Sequence, residues 1–222
     1  MTLWVRAFGA YRAEIASGWR SQDYLVRNLV KSLKGEPFNG YSDFKLGGRA
    51  HQINAQDDKP AYALWANWAG VRIRDDLNLG QVTLVPVPSS SQTRFGQDTC
   101  PVRMANSVAA LIPKAAVVGN FLRHKAAQPK AHSEGGTRDA DQIEPTLACR
   151  VTDTSLPVVL IDDVMTTGGH LKACARVLRE HGLTVEHVLL AGRTVWEIVP
   201  NPISVQPEDI ENIFDVDAWL RE

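Results

Sequence analysis

The fold is decided by the stretch VVLIDDVMTTGGH, which spans residues 158–170. Its first four residues are apolar and continuous, which is typical of a central parallel strand covered on both faces. A helical apolar stripe begins at Leu171 and ends before Gly182, and glycine suits the end of a helix. A second apolar strand follows over Thr184–Ala191. The order strand, helix, strand predicts an α/β fold with a central, mainly parallel sheet flanked by helices.

Hydrophobic periodicity and capping residues predict further elements upstream of this unit. Apolar residues three or four positions apart indicate helices, and short apolar runs bounded by proline or glycine indicate strands. The predicted helices run from a Ser21 cap to Gly35, from Pro60 through Trp65 and Trp68, and from a Thr99 cap to Leu111. The predicted strands are Val82–Val85, Ala115–Val118 and Phe121–Leu122. We interpret the two tryptophans as core residues.

Length and charge bound the domain organisation and the partners. The 222 residues, 44% of them hydrophobic, suit one large domain or one domain with an elaboration. We predict a mainly helical N-terminal elaboration over 1–80, a core over 81–200 and an acidic C-terminal segment over 201–222. The formal net charge of -1 gives no overall attraction to a nucleic-acid backbone, so nucleic acid is not the expected partner.

The cysteines and the hydropathy pattern indicate the compartment. Cys100, Cys149 and Cys174 form no CxxC pair and no zinc-binding spacing, and their odd number fits a reducing cytosol. The N-terminus shows no signal-peptide pattern, and nowhere do about 18 apolar residues occur together. We therefore expect a soluble, cytoplasmic protein with no membrane partner.

Polar chemistry is concentrated where the central strand ends. Asp162 and Asp163 lie at the edge where open α/β sheets bind ligands, and Thr166 to His170 then open a helix. Glycines let backbone N–H groups converge, and the helix N-terminus adds partial positive charge, which suits a monophosphate. Carboxylates accept hydrogen bonds from vicinal hydroxyls and help to hold hydrated Mg²⁺. The pattern predicts a site for ribose 5-phosphate, and the alternative is an ordinary turn and helix start.

The thirteen residues 158–170 resemble the ribose-phosphate signature of type I phosphoribosyltransferases. The resemblance implies Mg²⁺-dependent transfer of ribose 5-phosphate from phosphoribosyl pyrophosphate to a nucleobase or other nitrogen nucleophile, with release of pyrophosphate. It assigns Asp162 and Asp163 to the ribose hydroxyls and to the metal. The phosphate-binding residues that it implies are Val164, Met165, Thr166, Thr167, Gly168, Gly169 and His170. His170 departs from the family, which usually has threonine or serine there, but its backbone N–H still suits phosphate.

A second stretch, LVPVPSSSQTRFGQ over residues 84–97, resembles the strand and pyrophosphate loop of the same fold, especially in competence-associated phosphoribosyltransferase-like proteins. Those relatives commonly begin with a cysteine-rich zinc element, whereas no cysteine precedes Cys100 here. The Val87–Pro88 peptide bond could be cis at a cost of about 0.5 to 1 kcal/mol. The pyrophosphate-loop residues implied are Pro88, Ser89, Ser90 and Arg94. The alternative is a proline-terminated strand and a serine-rich turn.

The segment from Arg123 to Arg150 has few apolar residues and is predicted as an exposed, mobile loop. It corresponds in order to the hood that closes over the reaction centre in this family and excludes water from a cation-like transition state. The cations expected to neutralise the departing pyrophosphate are Lys125, Lys130 and Arg138. Lys125 and Arg138 join the acid pair as predicted catalytic residues. His124 and His132 are either proton donors or surface histidines.

Two classes of function follow from these patterns. The first is a catalytic phosphoribosyltransferase, expected as a homodimer, that binds phosphoribosyl pyrophosphate and a nucleobase or amine acceptor. The second is a non-catalytic sensor, regulator or effector component of the same fold, which binds a ribose phosphate or a protein or nucleic-acid partner. Trp196 lies where this fold often places base-stacking groups. Neither Glu197 nor Asp215 can be assigned as the base by spacing, so the acceptor stays open.

Overall fold

A computed structural model describes residues 2–12, 14, 18–129, 137–151, 155–203 and 205–211. In chain order its elements are β1 (Trp4–Tyr11), α1 (Ser21–Lys34), β2 (Ser42–Leu46), β3 (Arg49–Ile53), α2 (Lys59–Val71), β4 (Val82–Pro86), α3 (Cys100–Leu111), β5 (Ala116–Val118), β6 (Leu122–His124), α4 (Ala140–Ile143), β7 (Leu147–Cys149), β8 (Val158–Met165), α5 (Gly169–Glu180), β9 (Val185–Thr194) and β10 (Glu208–Asp209). A π turn, Arg72–Asp76, extends α2. None of the described helices is long and apolar enough to cross a membrane.

Six of these strands form the central sheet, in the order β10-β1-β9-β8-β4-β5. Every neighbouring pair is parallel except β10 and β1. The strands β2 and β3 form a separate hairpin, and β6 pairs with β7 in a short antiparallel ribbon. The predicted α/β class, with a central and mainly parallel sheet flanked by helices, is confirmed.

Both faces of the sheet are covered, which explains the continuous apolar run in β8. Val159 and Ile161 face the core formed with α1, α2 and α3, while Val158 and Leu160 face the core formed with α4, α5 and the β6–β7 ribbon. All four side chains are almost fully buried. A strand covered on one face only would alternate apolar and polar residues. Helices on opposite faces of the sheet therefore meet at its carboxyl edge from two sides.

Strand β1 was not predicted, although it lies inside the sheet between β9 and β10. It belongs to the segment 1–80 that the sequence marked as a mainly helical elaboration, and it pairs with β9 along its whole length. Glycine and alanine have weak strand preference, so its stretch AFGA gives little local signal. The predicted helices of this segment are present as α1 and α2. The division at residue 80 stays a prediction.

Most other predicted elements are confirmed, with shifted ends. Helix α1 is capped by Arg20, whose side chain pairs with Asp23, so the predicted Ser21 cap is wrong; Gly35 ends the helix as predicted. Strand β8 runs to Met165 and therefore includes the acid pair. The described residues contain no cis peptide bond, so the cis Val87–Pro88 bond is also wrong.

The predicted loop over 123–150 contains regular structure at both ends. The strands β6 and β7 pair through Arg123 and Ala148, and α4 lies between them in sequence. Leu122, Ile143 and Leu147 are buried against the core on the α5 face. The prediction of a continuous exposed loop is therefore wrong for these ends, because a few apolar side chains are enough to fix them to the sheet.

Gly9 provides a test of how closely α1 is packed on β1. A Cβ atom there would lie 2.6 Å from the Pro202 carbonyl oxygen and would collide with a Val26 methyl group. We expect Gly9→Ala to lower the free energy of unfolding by about 1–3 kcal/mol, because overpacking displaces backbone as well as side chains. Urea unfolding measures the change. Gly80→Ala, where no atom lies within 4 Å of the added Cβ, is the matched control.

Candidate functional site

The pocket lies at a topological switch point of the sheet. From β4 the chain crosses by α3 to β5 on one side, and from β8 it crosses by α5 to β9 on the other side. Strand β4 ends at Pro86, level with Ile161, whereas β8 continues for four more residues. Ligands of open α/β sheets bind where two crossovers diverge in this way.

One pocket of about 520 Å³ occupies this step. Three groups of residues line it: Pro88–Ser91 and Gln97–Pro101 with Arg103 after β4; Asp162–Leu171 from β8 into α5; and His124, Gln128, Pro129, Thr137, Arg138, Ile143 and Thr146 from the ribbon and α4 region. The volume suits a ligand the size of a phosphorylated sugar. Parts of both predicted motifs therefore lie in one cavity.

The acid pair forms the floor of the pocket. Asp162 accepts a hydrogen bond from the backbone N–H of Asp163 at 2.8 Å, and Asp163 accepts one from Val164 at 2.6 Å. Each bond involves one carboxylate oxygen, and the second oxygen of each side chain accepts no hydrogen bond from the described part of the chain, which leaves it available to a ligand. Both residues are half-buried, not exposed as their predicted place at a strand end implied.

Burial also sets the charge of the pair. It raises the pKa of Asp162 well above the usual range, and the adjacent Asp163 raises it further. Burial likewise raises the pKa of Asp163, while the Lys34 ammonium group opposes this shift. Lys34 belongs to α1 and forms a 2.7 Å ion pair with Glu36. The N-terminal segment thus supplies a cation to the acid pair, a role that the sequence did not reveal.

The loop between β8 and α5 presents free backbone donors. None of the N–H groups from Thr166 to His170 donates to another described residue. Gly168 has a φ of 87°, a left-handed conformation that glycine adopts without strain. Consecutive free N–H groups around such a residue, at the start of a twelve-residue helix, form an anion-binding concavity. The predicted phosphate loop therefore presents free backbone donors at the start of a helix, and phosphate binding there stays a prediction.

Long-range contacts hold this loop in place. Arg193, at the end of β9, donates to the Thr166 carbonyl oxygen and pairs with Glu208 at 2.6 Å. Ile210 packs beneath Gly168, because a Cβ atom added to Gly168 would lie 3.2 Å from the Cδ1 methyl group of Ile210. The acidic C-terminal segment predicted over 201–222 thus contributes a strand and a support for the phosphate loop.

A second set of free donors lies at the opposite end of the pocket, after β4. The backbone N–H groups of Ser89, Ser90 and Ser91 have no hydrogen-bond acceptor in the described part of the chain. The buried Gln92 holds their loop in place, because its side chain donates to the Leu122 carbonyl oxygen at 3.3 Å and accepts from Thr99 at 3.3 Å. The loop is fixed while its donors stay available.

Arg103 lines this same end and was not predicted. Its Nε donates to the Tyr62 hydroxyl at 3.0 Å, and its Nη1 donates to Asp98 at 3.2 Å. Cys100 precedes it on the first turn of α3, and burial raises the pKa of that thiol, with smaller contributions from both aspartates of the floor. The thiol is therefore neutral. The sequence did contain a signal for Arg103, because the predicted helix that carries it follows a strand and therefore starts at the carboxyl edge of the sheet.

Two histidines lie beside the phosphate loop. The rings of His124 and His170 are 5.4 Å apart, and the Nε2 atoms of both are buried without a hydrogen-bond partner among the described residues. His124 is 2% exposed, and its Nδ1 lies 3.0 Å from the Thr146 hydroxyl. That hydroxyl donates its proton to the Ile143 carbonyl oxygen, so it can only accept from His124. Nδ1 therefore carries the proton and Nε2 carries a lone pair. The burial of the ring excludes the surface-histidine alternative for His124.

The remaining predicted residues are not all brought to the pocket. Arg138 lines it at the α5 end, because a Cβ on Gly169 would clash with the Arg138 carbonyl oxygen. Arg94 is exposed outside the lining, and the Lys125 ammonium group donates to the Pro145 carbonyl oxygen at 2.7 Å on the surface. Trp196 is 77% exposed and Glu197 is exposed, both away from the pocket lining. Lys130, His132 and Asp215 lie outside the described residues.

The predicted core role of the tryptophans is confirmed. Trp65 is fully buried and donates to the Met104 carbonyl oxygen at 3.2 Å, and its ring lies 5.4 Å from that of Trp68.

Within the described residues no three metal-ligating side chains cluster together. The three cysteines are free.

Comparison with solved structures finds similar chains. Orotate phosphoribosyltransferase from Aeropyrum pernix is 19% identical over 73% of this chain and 78% of that chain, with a TM-score of 0.39. Adenine phosphoribosyltransferase from Saccharomyces cerevisiae, bound to an imino-altritol bisphosphate and adenine, is 10% identical over 75% and 89%, with a TM-score of 0.42. Adenine phosphoribosyltransferase from Trypanosoma brucei, in complex with AMP, pyrophosphate and ribose-5-phosphate, is 12% identical over 87% and 91%, with a TM-score of 0.43.

No family model and no curated protein matches the chain. The three structures are phosphoribosyltransferases, which is the family that residues 158–170 resemble. The finer resemblance to competence-associated proteins stays a prediction. The function proposed below rests on the pocket itself.

The buried histidines predict how stability depends on pH. Burial lowers the pKa of His170 to about 4, with His124 contributing, while an unfolded histidine titrates near 6.5. The folded state then binds fewer protons than the unfolded state, so stability falls as pH drops from about 6.5 towards 4. Between pH 7 and pH 5 we expect wild type to lose about 2 kcal/mol more stability than His170→Gln, because the variant has no histidine to protonate at this position. Urea unfolding of both proteins at the two pH values measures the difference.

Other titrating groups cause the same loss of stability in wild type and in His170→Gln, so their contribution cancels when the two proteins are compared. His51→Gln, in the β2–β3 hairpin away from the pocket, should retain the wild-type difference between the two pH values. An equal difference in wild type and His170→Gln would show that His170 is not buried as a neutral group.

Proposed function

We propose that this protein binds Mg²⁺-phosphoribosyl pyrophosphate and transfers its ribose 5-phosphate to a nucleobase or other nitrogen nucleophile. The observation that carries the proposal is the order of groups along one pocket. Free N–H donors lie at the α5 end, a carboxylate pair forms the floor, and a second set of free N–H donors lies at the α3 end. A ligand that matches this order is anionic at both ends and carries hydroxyl groups in the middle.

Each part of the ligand has a proposed partner. The loop 166–170 receives the 5-phosphate through its backbone donors, and the free oxygens of Asp162 and Asp163 accept from the vicinal ribose hydroxyls. Ser89 and Ser90 donate to the diphosphate from the other end. Pro88 begins this turn without an N–H group of its own, so the donors that follow it carry the binding.

The acid pair also fits Mg²⁺ by its chemistry. Mg²⁺ prefers oxygen ligands and is usually held by one or two carboxylates together with substrate oxygens and water. Asp162 and Asp163 would hold it, and when bound it would supply positive charge to the departing pyrophosphate. Burial and mutual repulsion raise the pKa values of both carboxyl groups, and a bound cation would offset that repulsion and stabilise the ionised pair, so that its binding would release protons.

The rate enhancement would come from positioning and water exclusion. Both ends of the ligand are fixed by backbone donors, so the ribosyl centre lies over the floor in one orientation. The β6–β7 ribbon and Arg138 form the side of the pocket that a closing hood would extend. Lys125 remains a proposed catalytic residue that would reach the pocket only after a rearrangement of this segment. A homodimer and a cytoplasmic location belong to the same proposal.

A second candidate is a non-catalytic protein that binds ribose phosphate. It is favoured by His170, which replaces the hydroxyl residue usual in the resembled family and whose Nε2 is buried without a hydrogen-bond partner among the described residues. Release of pyrophosphate on addition of a nucleobase would distinguish a transferase from this alternative.

The first test replaces the acid pair. We expect Asp162→Asn with Asp163→Asn to abolish calorimetric binding of Mg²⁺-phosphoribosyl pyrophosphate, because the amides remove the negative charge that the metal requires. Asparagine keeps an oxygen that can accept the backbone hydrogen bond of each position, so the fold should survive. Circular dichroism and thermal unfolding check that it does.

Asp75→Asn with Asp76→Asn is the matched control. These two adjacent aspartates are exposed in the π turn after α2, where Asp75 pairs with Arg74 and Asp76 pairs with Arg72. Their loss should leave binding unchanged. Undiminished affinity in the Asp162 and Asp163 double variant would contradict the proposal.

A further inference from the structure

We propose that Arg103 is the cation that binds the diphosphate end of the ligand, and that Tyr62 is the residue that positions it. This inference rests on the proposed function, because it assigns one end of the same pocket. It gives a place in the site to α2 and α3, neither of which belongs to the two resembled motifs.

Arg103 is already oriented before any ligand arrives. Its Nε and Nη1 are held by Tyr62 and Asp98, whereas its Nη2 has no hydrogen-bond partner within the described part of the chain. The residue lines the pocket next to the start of α3. A guanidinium group fixed on two sides with donors left over loses little freedom when it binds an anion.

Tyr62 connects this guanidinium to the N-terminal part of the chain. Its hydroxyl accepts from Arg103 and donates to the Leu33 carbonyl oxygen at 3.0 Å, near the end of α1. Burial raises the pKa of Tyr62 to about 12, so the hydroxyl keeps its proton. The single proton is given to Leu33, and the oxygen can therefore only accept from Arg103. The direction of this chain of bonds fixes the guanidinium plane.

The position of Arg103 indicates the diphosphate and not the 5-phosphate. The loop 166–170 and Arg138 line the pocket where α5 begins. Ser89–Ser91 and Arg103 line it from the β4–α3 connection and the first turns of α3, and Arg103 pairs with Asp98 of that connection. Of the four cations that the sequence assigned to pyrophosphate, Arg138 is at the α5 end, Arg94 and Lys125 are outside the lining and Lys130 lies outside the described residues. Arg103 is thus the arginine that the described structure brings to the diphosphate end.

The test measures the two ends of the ligand separately by calorimetry. The probes are ribose 5-phosphate for the α5 end and inorganic pyrophosphate with Mg²⁺ for the α3 end. We expect Arg103→Gln to weaken pyrophosphate binding roughly 10- to 100-fold, as for loss of a charge-assisted hydrogen bond, and to change ribose 5-phosphate binding less than about 2-fold. Arg103→Lys, which keeps the charge but not the fork of donors, should fall between wild type and Arg103→Gln.

A double-mutant cycle tests the positioning role of Tyr62. Tyr62→Phe alone should weaken pyrophosphate binding several-fold, on the order of one neutral hydrogen bond. The same substitution should have no further effect when Arg103 is already glutamine. A merely structural role for Tyr62 would instead add the same loss in both backgrounds, and that result would overturn the positioning part of the inference.

Arg74→Gln is the charge-matched control, because this arginine lies in the exposed π turn outside the pocket lining and pairs with its neighbour Asp75. Thermal unfolding is measured for every variant, and Arg103→Lys serves if Arg103→Gln does not fold. Unchanged pyrophosphate affinity in a folded Arg103 variant, with wild type binding both probes, would overturn the inference and leave the proposed function standing. If the wild-type protein bound neither ribose 5-phosphate nor pyrophosphate, both this inference and the proposed function would be overturned.

Discussion

The site depends on a difference in length between two neighbouring strands. Strand β4 stops level with Ile161, while β8 continues to Met165, so Asp162 and Asp163 lie beyond the last residue of one neighbour. The chain after β4 must turn away at that point, and the chain after β8 turns to the opposite face of the sheet. The space between the two turns is the pocket. Shortening β8 or lengthening β4 would fill it with backbone.

That geometry brings two helix starts to one cavity from opposite faces of the sheet. Helix α5 begins at the phosphate loop, and α3 begins beside the loop that contains Ser89–Ser91. Helices on a single face would place their first turns side by side, and a ligand could not extend between them. The parallel sheet with both faces covered therefore places two helix N-termini, each a suitable end for an anion, at one pocket.

The sequence revealed those parts of the site whose residues are neighbours along the chain. The strand, the acid pair and the glycine turn of residues 158–170 follow one another directly, so local pattern was sufficient. Strand β1 could not be recognised in this way, because its glycine and alanine residues are explained only by the close approach of Val26 from α1. Arg103 was missed although it lies near the start of α3, and the sequence left His124 open between two roles. Their roles come from Tyr62, 41 residues earlier, and from Thr146, 22 residues later.

The charge at the α3 end has a consequence for turnover. Arg103 is partly neutralised by Asp98, which lies 3.2 Å from its guanidinium group. In the proposed transferase reaction, attraction that is equally strong in the bound substrate and in the transition state does not accelerate the chemical step. In the proposed reaction, the attraction of the guanidinium would increase as negative charge develops on the departing diphosphate, and only that increase lowers the barrier. Under the proposed function, Asp98 would weaken the attraction of Arg103 for the released pyrophosphate and so favour its departure.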